Sequence, residues 1–276
     1  MILGGHWRLV RRLAEGAMGS VHEAVHEATG QRVAVKLLKA ELHADPGLRR
    51  RFRREASVLQ AIEHPGVVRV LELGDDDGER SYTVMELLIG ETLAELLGRE
   101  AKLAPSVAVP ILFGICDALA AVHRHGVIHG DLKPENVFLL AGAASPVKLV
   151  DFGLAKVEGL ERLTRTGELS GTPVYMAPEL FTGQREIDGR LDVYAVGVIA
   201  HQCLAGQLPF STRRHPGALM RDIVLGKVTP LERLAPELPA GLAAAVRRAM
   251  APRRDERTPD AGILGAELAA AWTGGS

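Results

Sequence analysis

The spacing of apolar side chains along these 276 residues changes character once, near residue 90. Ahead of that point the chain reads as β-strands at Trp7 to Leu13, Val21 to His26, Gln31 to Leu38, Val67 to Leu73 and Tyr82 to Leu87, separated by glycine-bearing turns and loops. One helical interval, Gly47 to Ile62, interrupts them, with Leu48, Phe52, Ala56 and Leu59 three or four apart. Past Gly90, which marks a hinge, helices take over: Thr92 to Arg99, Ser106 to His125, Leu191 to Ala205, Leu219 to Leu225, Gly241 to Met250 and Pro259 to Trp272. Two short apolar strands, Val137 to Leu140 and Val147 to Val150, lie among them. The division predicts an α+β fold of two lobes, a small mostly β lobe over 1–88 with one helix and a larger mostly α lobe over 89–276. At roughly 150 residues per domain, a single small module is excluded.

Hydrophobic residues make up 47% of the chain and charged residues 24%, enough for a sizeable core and too little polarity for extended disorder. Lysine and arginine number 33 against 34 acidic residues, so the chain as a whole has no electrostatic pull toward nucleic acid or acidic membranes. The arginines at the start follow a very short apolar run, the reverse of a signal peptide. The richest apolar stretch, Val107 to Val122, is interrupted by Pro110 and Asp117, so no membrane insertion is expected. Cys116 and Cys203 sit in apolar helical stretches and are expected as free buried thiols in a reducing compartment. A cytoplasmic location follows, equally compatible with the cytosolic part of a longer or membrane-tethered protein.

Basic positions hold 26 Arg and only 7 Lys, and asparagine occurs once, at Asn136. In a chain biased against both, Lys36, Lys133 and Asn136 are the side chains to explain. Lys36 ends the apolar run Val33-Ala34-Val35 on a strand, where a buried ammonium needs an anionic partner: Glu55 on the following helix, or the phosphates of a nucleotide. A lysine snorkelling from a strand edge is the bland alternative. The turn Leu13-Ala14-Glu15-Gly16-Ala17-Met18-Gly19-Ser20-Val21 lets backbone N–H groups approach a polyphosphate. It joins two strands, so a Rossmann fingerprint, which opens a helix, does not fit.

Residues Ile128 to Asn136 read IHGDLKPEN, and fifteen residues past Asn136 comes Asp151-Phe152-Gly153. With Val33 to Lys36 before them and Ala177-Pro178-Glu179 after them, these segments resemble, in order, the eukaryotic-like (Hanks-type) serine/threonine protein kinases, bacterial branch. The resemblance covers nearly the whole chain. It implies a bilobal protein kinase fold and transfer of the γ-phosphoryl group of ATP to Ser/Thr hydroxyls of proteins, with Mg²⁺ (or Mn²⁺) as the metal.

Carried over residue by residue, the resemblance implies that Lys36, positioned by Glu55, holds the α- and β-phosphates, and that Asn136 and Asp151 ligate the metal. Asp131 would orient the substrate hydroxyl and take its proton, while Lys133 neutralises charge on the transferring group. Gly16 and Gly19 would cover the phosphates. Leu13, Val21 and Ala34 above and Phe138 below would hold the adenine, with Met85 as gatekeeper and the Glu86 and Leu88 backbone as its hydrogen-bonding partners. Thr172 would help seat the peptide residue after the acceptor, and Thr164 and Thr166 would be autophosphorylated. Glu179 would pair with Arg257, and Asp192 would hold the catalytic-loop backbone.

Two positions depart from the family pattern. Ala14 replaces the first loop glycine. Gly130 replaces the arginine that in many relatives precedes the catalytic aspartate and meets an activation-loop phosphate, leaving Lys156, Arg165 or the arginine-rich helix as less direct partners. That helix, with Arg49, Arg50, Arg51, Arg53 and Arg54, reads as a solvated face, and no nucleic acid is expected as a partner. His22 and His26, about 13 Å apart on one strand face, are too far apart for one metal. His123 and His125 suit a helix end whatever the function. ATP and protein substrates are the expected partners, and a homodimer stays open. A pseudokinase acting as a nucleotide-binding scaffold and a small-molecule kinase are the competing readings.

Overall fold

The computed structural model describes residues 1–16, 19–43, 45–76, 80–142, 147–152, 173–183, 187–212 and 215–273. Gly153, Lys156, Thr164, Arg165, Thr166 and Thr172 therefore lie outside the described residues. The chain divides into two compact units, Met1–Ile89 and Gly90–Ser276.

The first unit holds β1 (Ile2–Leu3), β2 (Trp7–Glu15), β3 (Gly19–His26), β4 (Arg32–Leu38), α1 (Ala40–His43), α2 (Pro46–Gln60), β5 (Val70–Asp76) and β6 (Arg80–Glu86). Its strands form one six-stranded sheet in the order β1-β2-β3-β4-β6-β5, antiparallel throughout. Leu3, Trp7, Ala24, Val33, Val35, Tyr82 and Val84 pack into its core, every second residue of a strand pointing inward. α2 starts where Asp45 accepts hydrogen bonds from the N–H groups of Gly47 at 2.7 Å and Leu48 at 3.3 Å, just ahead of Pro46 in the first turn. Its apolar stripe, Phe52, Ala56 and Leu59, is buried.

β1 and α1 are too short to leave a periodic signal in the sequence. β5 and β6 also run further into the acidic loop than the sequence reading places them. The charges there are matched: Asp75 and Asp76 lie opposite Ser81 and Arg80, Ser81 donates to Asp75, and Arg53 reaches Asp75 at 2.7 Å.

The second unit begins with β7 (Gly90–Thr92), then α3 (Leu93–Glu100), α4 (Pro105–Arg124), β8 (Val137–Leu140), β9 (Val147–Leu149), α5 (Glu179–Thr182), α6 (Arg190–Ala205), α7 (Pro216–Val224), α8 (Leu231–Leu234), α9 (Ala240–Ala249) and α10 (Ala261–Thr273). β7, β8 and β9 form a small antiparallel sheet. α3 opens with a reciprocal cap: the Thr92 hydroxyl accepts from the Glu95 N–H while the Glu95 carboxylate accepts from the Thr92 N–H. α6 is the central helix, buried at nearly every position from Leu191 to Leu204.

Pro110 does not end α4. Its missing N–H would have met the carbonyl of Ser106, and both residues face solvent, where water replaces the bond. Among the described residues α4 is the one helix long and apolar enough to cross a membrane, but over half of it is buried within the unit. Cys116 and Cys203 are free and buried; burial pushes both thiols up, Cys203 to about 12.

Candidate active site

In the first unit the turn between β2 and β3 is closed by the Gly16 N–H donating to the Gly19 carbonyl at 2.8 Å. A methyl group at Gly19 would come within 2.0 Å of the Leu37 carbonyl oxygen on β4, so only glycine fits there. Register places Val21 opposite Lys36 and Ala34 opposite Met85, which brings Val21, Ala34 and Lys36 to one sheet face. Lys36 is 17% exposed and its Nζ lies 3.3 Å from Glu55 Oε1 on the buried side of α2. Two opposite charges so nearly out of water hold each other in place. At the end of β6 the Glu86 N–H donates to the Arg69 carbonyl at 3.0 Å, and the Glu86 carboxylate accepts from the Arg69 N–H at 2.8 Å. Leu13 is exposed and Leu88 half-buried.

In the second unit a 3₁₀ turn at Pro134–Asn136 leads into β8, where Phe138 lies opposite Lys148. Asn136, the sole asparagine, is 4% exposed. Its amide nitrogen donates to the Asp131 carbonyl at 2.8 Å and the Asp151 carbonyl at 3.4 Å, and lies 3.5 Å from the Asp131 carboxylate. One amide thus joins the two aspartate-bearing loops, and its oxygen is the atom left for a cation. Lys133 Nζ stands 3.7 Å from Asp131 Oδ2. Asp151 has φ of 52°, a left-handed conformation that costs a non-glycine residue roughly 1–2 kcal/mol and is found where function requires it.

Beneath this loop Asp192 on α6 is fully buried. Its carboxylate accepts from the backbone N–H of His129 at 2.8 Å and of Gly130 at 2.9 Å, and from His123 Nε2 at 2.8 Å. Burial alone would raise its pKa, but the bonds and charge of His123 with those of the loop outweigh it and hold Asp192 below the usual carboxylate range. His129 is also fully buried; its ring stacks on Phe152 at 4.4 Å, and burial lowers its pKa, favouring the neutral form. Gly130 has φ of 73°, so the backbone here asks for glycine.

Glu179 and Arg257 form a buried two-pronged ion pair, 2.6 Å at each prong. The remaining donors of Arg257 go to the carbonyls of Ala251 at 2.7 Å, Arg190 at 3.2 Å and Pro252 at 3.1 Å, which accounts for all the N–H groups a guanidinium has.

Sequence reasoning missed three features of the site. His123 read as a helix-end residue and is the third donor to Asp192; nothing local marks a contact between residues this far apart in the chain. The left-handed backbone of Gly130 was hidden behind its role as a missing arginine. Tyr175, which lines a cavity with Gly130 to Lys133, donates its hydroxyl to Gln202 at 2.7 Å and left no signal either.

A model of the protein kinase domain matches residues 7–237, and the chain belongs to that family. The curated relatives it resembles include bacterial serine/threonine-protein kinases. It is 41% identical over 256 residues to serine/threonine-protein kinase Pkn1 of Myxococcus xanthus, covering 92% of this chain and 36% of that protein. It is 37% identical over 281 residues to serine/threonine-protein kinase pkn2 of the same organism, covering 98% and 33%. The chain therefore spans about a third of the length of these two relatives. Among solved structures, the PknI kinase domain of Mycobacterium tuberculosis matches at 27% identity with a TM-score of 0.76, over 98% of this chain and 97% of that one.

Proposed function

We propose that this chain is the catalytic domain of a bacterial protein serine/threonine kinase that moves the γ-phosphoryl group of ATP to protein hydroxyls. The observation that carries the reading is Asn136, the one amide that ties Asp131 to Asp151. Asp131 orients the acceptor hydroxyl and takes its proton, and Lys133 stabilises the negative charge of the transferring group. Lys36, held by Glu55, grips the α- and β-phosphates; Gly16 and Gly19 let the backbone close over them. Leu13, Val21, Ala34, Met85 and Phe138 hold the adenine, and the backbone of Glu86 and Leu88 reads its edge.

A carboxylate and an amide oxygen, Asp151 and Asn136, are hard ligands that suit Mg²⁺ held jointly with substrate phosphates, with Mn²⁺ as a substitute. The metal, when bound, neutralises phosphate charge during transfer. The loop Asp131-Leu132-Lys133 and the names of the relatives support Ser/Thr acceptors. Gly130 makes this a kinase without the arginine before its catalytic aspartate, so phosphates on Thr164 and Thr166 would not find that arginine as a partner. Thr172 seats the peptide. The domain acts in the cytosol, alone or as part of a longer protein, as a monomer or a homodimer.

Labelled ATP and a generic protein substrate test the reading, with phosphoamino-acid analysis of the product. Phosphoserine or phosphothreonine supports it; ATP binding without transfer points to a scaffold, and label only on small molecules to a small-molecule kinase. Asp131→Asn and Asp151→Asn should both abolish transfer, with Mg²⁺-dependent ATP binding by calorimetry weakened only in Asp151→Asn. Equal losses of binding would overturn the assignment of roles.

A further inference from the structure

The glycine turn hangs on a hairpin whose first strand, β2, is exposed along most of its length. The register of β2 against β3 also shifts twice, between Leu9 and Arg11 and between Arg12 and Ala14. Burial does little to fix the register of such a strand. Between the two shifts Arg11 pairs with Glu23 on β3, and Glu23 is only 4% exposed, an unusual place for a carboxylate.

Both oxygens of Glu23 are occupied by guanidinium groups from the flanking strands. Arg11 Nε donates to Oε2 at 2.9 Å, while Arg32 Nε and Nη2 donate to Oε1 at 2.9 and 2.7 Å. The hydrogen bond from Arg32 is the main reason the carboxyl is held below the usual glutamate range. One side chain thus clasps β2, β3 and β4 near the root of the glycine turn. Glu23 stands opposite Ala34, and Val21 opposite Lys36, so Glu23 shares the sheet face of the residues assigned above to the nucleotide.

We propose that Glu23 is a positioning residue for the nucleotide: by holding Arg11 and Arg32 together it fixes the β2–β3 hairpin relative to Ala34 and Lys36, and so sets ATP affinity without touching ATP. This rests on the kinase reading given above. Without the carboxylate, two guanidinium groups face each other across β3 with no anion between them, and β2 is free to shift. The loss falls on nucleotide binding, because Asp131, Lys133, Asn136 and Asp151 belong to the other unit of the chain.

Glu23→Gln keeps the shape and removes the charge. Its KM for ATP and its Kd for ADP should rise together, by about three- to tenfold, with kcat within about twofold of wild type. Arg32→Met, at a side chain 59% exposed, should show a smaller rise in the same direction and carries the test should the glutamine variant not fold. A folded variant with wild-type KM and Kd would overturn the proposal, as would a fall in kcat at unchanged KM. If the wild-type chain turned over no ATP, the kinase reading would fail, while ADP affinity by calorimetry would still decide the role of Glu23.

Discussion

Trp7 Nε1 donates to Glu72 Oε2 at 3.0 Å, although β2 and β5, which carry them, are separated by three strands in the sheet. The sheet must therefore curl until side chains from distant strands meet over the core. His6 Nε2 faces the same oxygen at 3.2 Å, and the Tyr82 hydroxyl donates to the other at 3.2 Å. Burial pushes the Glu72 carboxyl up, but the bonds from Trp7, His6 and Tyr82 together hold it below the usual value of 4.5. Burial and Glu72 in turn push the Tyr82 phenol up to about 12.

A carboxyl whose pKa is lower folded than unfolded stabilises the fold above its unfolded pKa and loses that contribution as pH falls through the folded one. Between roughly pH 5 and pH 3, the Tm of the wild type should therefore fall more steeply than that of Glu72→Gln. Parallel thermal-melt profiles for the two proteins would remove Glu72 from the acid response.

Two tyrosines should answer differently to loss of their hydroxyls. The Tyr194 hydroxyl is buried without a hydrogen-bond partner among the described residues, its ring lying under the Arg257 guanidinium at 5.0 Å. Tyr194→Phe is expected to leave stability unchanged or raise it by about 1 kcal/mol, since an unpaired buried hydroxyl is removed. Tyr175→Phe should cost about 1 kcal/mol, because Gln202 loses its donor. Urea denaturation of both variants measures the difference, and a larger loss in Tyr194→Phe would contradict it.

Arg257→Lys should destabilise the fold by about 3 kcal/mol or more despite keeping the charge. A lysine ammonium has three donors where five acceptor contacts now converge, and it cannot meet both oxygens of Glu179 in one plane. A Tm within a degree of wild type would show that the ion pair is not structural.

Gly130→Arg puts a side chain at a left-handed position and should cost roughly 1–2 kcal/mol of stability. With Gly130 in place, the unphosphorylated Thr164→Ala/Thr166→Ala protein should lose less than about tenfold in kcat/KM, since the residue preceding Asp131 in the chain carries no guanidinium to meet a phosphate. A loss near a hundredfold, with mass spectrometry confirming the modification state, would mean another cation has taken that part.

What the sequence disclosed was whatever its local chemistry encodes. Val33 to Lys36 reads as a strand with a costly lysine, and Asn136 stands out because no other asparagine competes with it. The pairing of Glu179 with Arg257, implied by resemblance, is present in the structure. The contacts of Glu72, Glu23 and His123 were illegible, since each depends on how strands curl or helices cross, and an isolated Glu or His on an element looks the same with or without a partner. Pro110 lies inside the helix expected from Ser106 to His125 and does not break it, because the lost bond faces water.

The carboxylate of Asp192 has a dynamic consequence as well. His129 and Gly130 belong to a segment with no helical or strand ladder of its own, where amide protons ordinarily exchange with solvent through small local fluctuations. Here both amides end on a side chain rooted in the central helix α6. Their exchange should therefore be slow and should respond to denaturant as the amides of α6 do, making the loop that carries Asp131 part of the last cooperative unit to open.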